Sequence, residues 1–360
     1  MGDIKYGRTH ETTDFTVYKG WFYTRQFTAS GTFCQQLESV LRQAVEAAAR
    51  AGASPDGIVK CDVVLRDIAQ EEHVIETYRR LVSKNMPAFR IAHEAGLESG
   101  VEVGVELTGV TLDSGLLAER FCPDEKGIPV SVRAGDLVYT SNFLPDTKGS
   151  FEFEAGQVME KTVKALEAAG ASAANAVKNF AMLVDIDKFS DFNTVYAKTF
   201  TPSGDPPARS LIGADSLNGF QVSLESIAYL GNRRKSVSVG ALSGKMPFCS
   251  AMIAGDFLFV SGQIGILNMD GTYNIELEPQ TEHMYRVIEA VVNAADCDMK
   301  NCLKYDGFAI KPEYQDIMRT KFAAAFPENG CAGAEFVVSF LANAAILVEM
   351  DMVVAVEEER

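Results

Sequence analysis

Residues 46–67 of this chain, EAAARAGASPDGIVKCDVVLRD, return as residues 164–185, KALEAAGASAANAVKNFAMLVD. At this single offset of 118, Gly52 falls on Gly170, Ser54 on Ser172, Lys60 on Lys178 and Asp67 on Asp185. A third, more diverged copy starts at Glu289, EAVVNAADCDMKNCLKYDGFAI, with Asp296 in the glycine position and Lys304 eight residues later. Internal repetition overrides any reading of the chain as unrelated domains. Three units of about 120 residues are expected, at 1–118, 119–238 and 239–360.

Each unit shows the same coarse order. An opening strand pair (Trp21–Gln26, Leu137–Ser141, Phe257–Ser261) leads to an amphipathic helix (Phe33–Ala51, Phe153–Ala169, Pro279–Ala295). In the first of these, Leu37, Val40, Leu41, Ala44, Val45 and Ala48 recur at helical spacing. Gly52 and Gly170 sit where a helix end wants a left-handed residue. A buried strand follows (Ile58–Leu65, Ala176–Val184, Cys302–Ile310), then a second helix (Glu71–Lys84, Lys188–Phe200, Pro312–Ala325), then a closing hairpin. The order ββαβαββ makes each unit a helix-backed α+β sheet. The connectors Asp113–Gly127 and Gly231–Met246 carry the Gly, Ser, Pro and charge of boundaries, and Asn232–Lys235 (NRRK) reads as a solvated part of the second.

The stretch Pro206–Glu225, PPARSLIGADSLNGFQVSLE, draws attention within the second unit. Pro207 favours an extended backbone ahead of Arg209, Leu211–Ala214 continues as a strand, and Asn218-Gly219 predicts a hairpin turn into a return strand from Val222 to Tyr229. A guanidinium at the mouth of such a hairpin suits a carboxylate, since its fork of donors binds both oxygens.

The chain carries 49 acidic against 33 basic side chains, a formal charge of −16. That excess opposes a nucleic-acid surface, whose affinity rests on Lys and Arg neutralising phosphates. Seven scattered cysteines with no CxxC pair fit a reducing cytoplasm. No secretory signal is read at MGDIKYGRTH, and the apolar stretch Phe336–Val356, broken by Asn343, Glu349 and Asp351, reads as two strands and not as a membrane span. The histidines, His10, His73, His93 and His283, show no paired spacing, so no metal is expected.

Set beside known families, VRAGDLVYTSN (Val132–Asn142) with PPARS in the second unit, and PFCSAMIAGDFLFVSGQIG (Pro247–Gly265) with LVEMDMVVAV (Leu347–Val356) in the third, resemble the RidA (YjgF/YER057c/UK114) family of imine and enamine deaminases. The first unit resembles it more weakly, through KGWFYTRQ and VGVELTGV. The resemblance implies a chorismate mutase-like α+β unit and a trimer with helices outside, sheets inward and a ligand cleft between neighbours. Three units in one chain then form a covalent pseudo-trimer.

The resemblance also implies roles. The family's cleft uses an arginine for the substrate carboxylate, a closing-strand glutamate for water and proton, an asparagine on the second helix, the Ser-Gly of SGQ, and an opening-loop tyrosine. Here the second unit offers Arg209, Asn193 and Ser141, but has Ser223 at the glutamate position with Glu225 two residues on. The third offers Ser261, Gly262, Gln263 and Glu349, with Phe248 for the tyrosine and Glu335 at the arginine position. The first has Thr24-Arg25-Gln26 for SGQ, Ile75, Gly104, and an Arg90 one residue out of register after Phe89. If a cleft takes its arginine from one unit and its glutamate and loop from the next, one composite cleft is expected in which Arg209 and Asn193 face Ser261, Gly262, Phe248 and Glu349. In the opposite order of units Arg209 faces Thr24 and Gly104, and the site has no acid. Arg209 and Glu349 are the expected catalytic residues of the composite cleft. Its partner is a small carboxylate-bearing imine or enamine, with no cofactor.

Each of these residues also has a plain reading. Arg209 can pair with a carboxylate, Glu349 and Asp351 can line a solvated strand face, Asn193 can be a helix-surface amide, and Ser261 can cap a strand end. Cys249 reads as a small buried hydrophobe. The competing class is a binding or scaffold protein that kept the trimer shell and lost the chemistry, with the family's ribonuclease activity a third reading.

Overall fold

The structure, a computed structural model, describes residues 3–9, 12–94, 97–202, 204–239, 244, 246–268, 272–327 and 330–357. His10 and part of the second connector lie outside these residues. In the first unit the elements are β1 (Lys5–Thr9), β2 (Thr12–Tyr18), β3 (Trp21–Thr24), β4 (Phe27–Thr28), α1 (Phe33–Arg50), β5 (Ala53–Leu65), α2 (Glu71–Leu81), β6 (Ala88–His93) and β7 (Val103–Thr111). The second has β8 (Glu119–Phe121), β9 (Ser131–Ala134), β10 (Leu137–Thr140), α3 (Phe151–Ala168), β11 (Ala176–Leu183), α4 (Phe189–Phe200), β12 (Ala208–Gly213) and β13 (Val222–Tyr229). The third has β14 (Arg234–Val237), β15 (Ala251–Ala254), β16 (Phe257–Ile264), α5 (Leu277–Ala294), β17 (Cys302–Ala309), α6 (Pro312–Ala325), β18 (Ala332–Val337) and β19 (Val348–Ala355).

The repeat appears as three sheets of one topology: β1-β2-β3-β7-β5-β6 with β4 also on β7, β8-β9-β10-β13-β11-β12, and β14-β15-β16-β19-β17-β18. Both helices of a unit pack on one sheet face. The stripe Leu37, Val40, Leu41, Ala44 and Ala48 is buried against β5 and β7, as its spacing requires. After each first helix comes a left-handed residue: Gly52 (φ 90°), Gly170 (φ 82°) and, in the diverged copy, Asp296 (φ 56°). Aspartate is among the few non-glycine residues that enter this region readily.

Three sequence expectations change. Strands β12 and β13 do not form a hairpin. Asn218 (φ 55°) and Gly219 (φ 81°) do make the left-handed turn, but the strands they join lie on opposite sides of β11, with Asn179 opposite Arg209 in a parallel ladder and Met182 opposite Ser223 in an antiparallel one. The α4 crossover places β12 parallel to β11, so β13 fills the other edge and becomes the centre of the sheet. The connectors are also less bare than expected, since β8 and β14 each supply an edge strand. NRRK is part of this: Arg234 lies in β14 of the third sheet and binds Asp205 Oδ2 at 3.0 Å and the Ala176 carbonyl at 2.9 Å in the second unit.

The other faces of the three sheets meet around a pseudo-threefold axis. Apolar clusters fill both ends, Val59, Val177 and Leu303 belonging to one and Val64, Met182 and Phe308 to the other. Between them lies a ring of ion pairs. Lys60 binds Glu225 (2.8 Å), Lys178 binds Asp351 (2.8 Å) and Lys304 binds Glu106 (3.0 Å). Each lysine of the repeat thus answers the closing-strand acid of the next unit, which fixes the order of units around the axis. Buried pairs of this kind add little net stability, yet breaking one costs several kcal/mol, about 3–5.

Candidate functional site

The cyclic order brings the arginine-bearing edge of the second unit against the SGQ loop of the third. The Arg209 N–H donates to Ser261 Oγ at 2.8 Å, and Ser261 Oγ donates to the Cys249 carbonyl at 2.6 Å. The Cys249 N–H reaches back to the Pro207 carbonyl at 3.2 Å. Ser261 is fully buried and spent on backbone contacts, so its part is to hold the edges together.

Arg209 is only 2% exposed. Its Nη1 donates to Asn193 Oδ1 at 2.7 Å. Four rings surround it, with centroids at 4.3 Å (Phe248), 4.8 Å (Tyr196), 5.4 Å (Phe192) and 5.7 Å (Phe189). Three of the rings recur on one face of α4, at helical spacing. Among the described residues Arg209 has no carboxylate within ion-pair distance. Burial pulls its pKa down to about 10, with Tyr196 and Glu349 opposing the fall. This is a cation with spare donors in an aromatic cage.

Glu349 lies on β19, also buried, 4% exposed. Burial raises its pKa to about 8, and Asp351 adds to the rise against Lys178, Arg209 and the Leu211 N–H. Its carboxyl fits because position 262 is glycine: a Cβ there would stand 1.7 Å from Glu349 Oε1. Gly262, Asn193 and Phe248 are half-buried and form the rim. The structure therefore brings together Arg209, Asn193, Phe248, Ser261, Gly262 and Glu349. The cage rings Phe189, Phe192 and Tyr196 were not singled out from the sequence. Their spacing reads equally well as an ordinary core face, and only the arrival of Arg209 distinguishes it. Cys249 packs as a small buried group, and burial pushes its thiol up to about 12.

The other two clefts differ. Between the first and second units, Phe89 takes the arginine position, its N–H on Ser141 Oγ at 3.2 Å and its ring packed on Tyr78. Ile75 and Ser223 replace the asparagine and the glutamate, and all three side chains are buried. Arg90 does not enter this cleft. Pairing with Asp62 and not with Cys61, it points to the axis. There its guanidinium meets Asp62 (3.3 Å), Glu225 (3.3 Å) and Glu106 (3.5 Å), and lies 4.2 Å from the Phe180 centroid. Glu225 is likewise an axial residue and no substitute for the missing glutamate. A cavity of about 70 Å³ lies among these charges. We do not place the site there, because the axial lysines and Arg90 are already met by carboxylates.

Between the third and first units, two alignments shift. Gly333 lies opposite Tyr305 as Arg209 lies opposite Asn179, so the arginine position is Gly333 and not Glu335. Glu335 is two residues on, where the second unit has Leu211. In the opening strand, Trp21 pairs with Val110 as Phe257 pairs with Ala355. Arg25, and not Thr24, therefore matches Ser261, and Gln26 matches Gly262. Gln26 then lies over Gly104, whose added Cβ would stand 3.0 Å from its amide carbon. Side chain and glycine have exchanged strands, leaving an amide where the composite cleft has Glu349.

Comparison with known proteins agrees with this architecture. The sequence model of the endoribonuclease L-PSP family matches residues 129–230 and 240–356, together more than half of the chain. Protein HMF1 of Saccharomyces cerevisiae is 33% identical over 105 residues, spanning 27% of this chain and 80% of that protein. Reactive Intermediate Deaminase A, chloroplastic, of Arabidopsis thaliana is 36% identical over 110 residues, or 28% of this chain and 57% of that protein. A crystal structure of chorismatase superposes with a TM-score of 0.60 over 83% of this chain and 93% of that chain, at 14% identity. At that identity it shows a shared fold alone. Among the described residues no helix is long and apolar enough to cross a membrane.

Proposed function

The chain belongs to the endoribonuclease L-PSP family, and on that premise we propose that it hydrolyses 2-imino or 2-enamino acids at one site, the cleft between its second and third units. One observation carries the reading: a buried arginine with no carboxylate of its own faces a buried glutamic acid that holds its proton near neutrality. The likeness to a protein named as a reactive intermediate deaminase supports it.

In this reading Arg209 binds the substrate carboxylate through the donors that Asn193 leaves free, in a cage where a charge-assisted pair is strong. Protonated Glu349 delivers its proton to the β-carbon of an enamine, giving the imine. It then takes a proton from the water that attacks C2. Glu349 returns that proton to the amino nitrogen of the tetrahedral carbinolamine, the C–N bond breaks to release ammonia, and the hydroxyl proton passes back to Glu349 as the 2-oxo acid forms. Such proton transfer contributes about 10²–10⁴-fold to rate, and holding substrate and acid together supplies much of the rest. The reaction draws on no group beyond these side chains and water. Seven scattered cysteines with no CxxC pair fit a reducing compartment, so the cytoplasm is the proposed location. The ribonuclease activity in the family's name is not extended to this chain, since a formal charge of −16 offers phosphates little.

The test is release of ammonia and 2-oxo acid from 2-aminoacrylate or 2-iminobutanoate generated in situ. Turnover by the native chain that disappears in Glu349→Gln supports the proposal. No turnover above background would instead favour a binding or scaffold protein, as two altered clefts out of three allow.

A further inference from the structure

We propose that the cleft between the third and first units is a second binding site, one that takes a small organic cation with a primary ammonium group. It encloses about 250 Å³, against about 70 Å³ on the axis. The place of the substrate-binding arginine is empty of side chain at Gly333, and the ring of Tyr305 lies over that backbone. Its walls are polar and acidic. Glu335 enters from β18, hydrogen-bonded to Tyr305 at 3.4 Å, while Glu94 and Glu98 enter from the first unit.

Two features point to a ligand. Glu94 lines the cavity and is 4% exposed; its Oε1 accepts from the Val337 N–H while its buried Oε2 has no hydrogen-bond partner. A buried carboxyl oxygen left this way costs free energy that an ammonium donor would recover. Among the described residues the one basic side chain lining the cavity is Arg319, at the position of Asn193, and it is already bound to Glu335 and Asp316. Arg319 is neutralised by Asp316 and Glu335, which leaves Glu94 and Glu98 to answer a cation. Burial raises Glu94 to about 8, and an ammonium beside it favours its ionised form, the reverse of the Arg209 cage. With Gln26 where the other cleft has Glu349, the closing-strand acid of the composite cleft has no counterpart here, and the site is assigned binding without turnover.

The experiment uses the full chain and 1,4-diaminobutane as probe, with 2-oxobutanoate as the anionic control, in ligand-observed NMR and isothermal titration. Saturation transfer to the diamine is expected in the native chain, with the dissociation constant raised at least tenfold in Glu94→Gln and in Glu335→Gln, and unchanged in Arg209→Lys. Glutamine keeps an acceptor for the Val337 N–H, and near-ultraviolet circular dichroism verifies folding. If Glu94→Gln does not fold, Glu335→Gln decides alone. Absence of diamine binding by the native chain, or binding undiminished in the folded variants, overturns the proposal. So does 2-oxobutanoate binding that depends on Arg319. None of these readouts requires turnover, so they stand or fall apart from the proposed deaminase activity.

Discussion

Arg209 and Arg90 sit one register step apart on equivalent edge strands, both buried, and their surroundings are opposite. Arg90 points to the axis and is shared among Asp62, Glu106 and Glu225. Burial opposes its charge, but those carboxylates outweigh it and hold its proton more firmly than usual. Arg209 points into the cleft, where rings and one neutral amide surround it and burial pulls its pKa down. Because side chains alternate across a strand, a one-residue displacement sends the same residue type to a different medium. A buried arginine is structural where the protein neutralises it, and available to a ligand where the protein does not.

The contrast can be broken by substitution. The largest effect is expected from Glu349→Gln, which should lower kcat/KM by about 10²–10⁴-fold while leaving the denaturation midpoint intact, since glutamine mimics the protonated acid. Next comes Arg90→Met. It strips three buried carboxylates of their cation and should cost about 3–5 kcal/mol in urea unfolding, with turnover per folded molecule preserved. Arg209→Met should show the inverse: activity lost, stability unchanged or slightly raised, because a cation without a carboxylate partner has left the interior. If the two arginine variants destabilise equally, the distinction fails. A smaller change is expected of Arg209→Lys, a rise in KM of about tenfold, roughly the value of one charge-assisted hydrogen bond.

The pH dependence sharpens the same comparison. Burial is the main cause that raises Glu349 and Glu94 to about 8 and Glu335 to about 7 in the folded chain. The folded chain therefore holds protons that the unfolded chain has released between about pH 4.5 and 8. Stability should fall as pH rises through this window, by at most about 1.4 kcal/mol per pH unit for each group. Glu349→Gln should flatten the slope measured by urea titration at several pH values. Activity should decline above about pH 8, where Glu349 loses the proton it donates.

Much of this was legible in the chain itself. The repeat located the six helices and the strands between them, and Asp296 in a glycine position proved a faithful marker of the third copy. Complementary losses, Arg209 in one unit and Glu349 in another, point to a shared cleft, but the order of the units around the axis, and so whether the two face each other, is not written in the sequence. What escaped was whatever depends on which strand pairs with which. Asn218-Gly219 announces a turn but not that β11 lies between the strands it joins. Glu335 was misaligned with Arg209 by two residues because the third copy diverges around β18, and only the ladder to β17 fixes the register. The lysines Lys60, Lys178 and Lys304 stood out as repeated positions, but alignment cannot say that each finds its acid in the next unit.

Those three lysine–acid pairs run in one direction around the axis, and peptide links from Thr111 to Glu119 and from Tyr229 to Arg234 hold the participants together. In an assembly of separate copies the same ring would obey mass action and come apart on dilution. Here each unit experiences its neighbours at an effective concentration set by a short tether, on the order of millimolar or above. The composite cleft should therefore keep its shape and specific activity at nanomolar protein. A tether also frees each edge to change alone, since a substitution in β12 alters one cleft and not three.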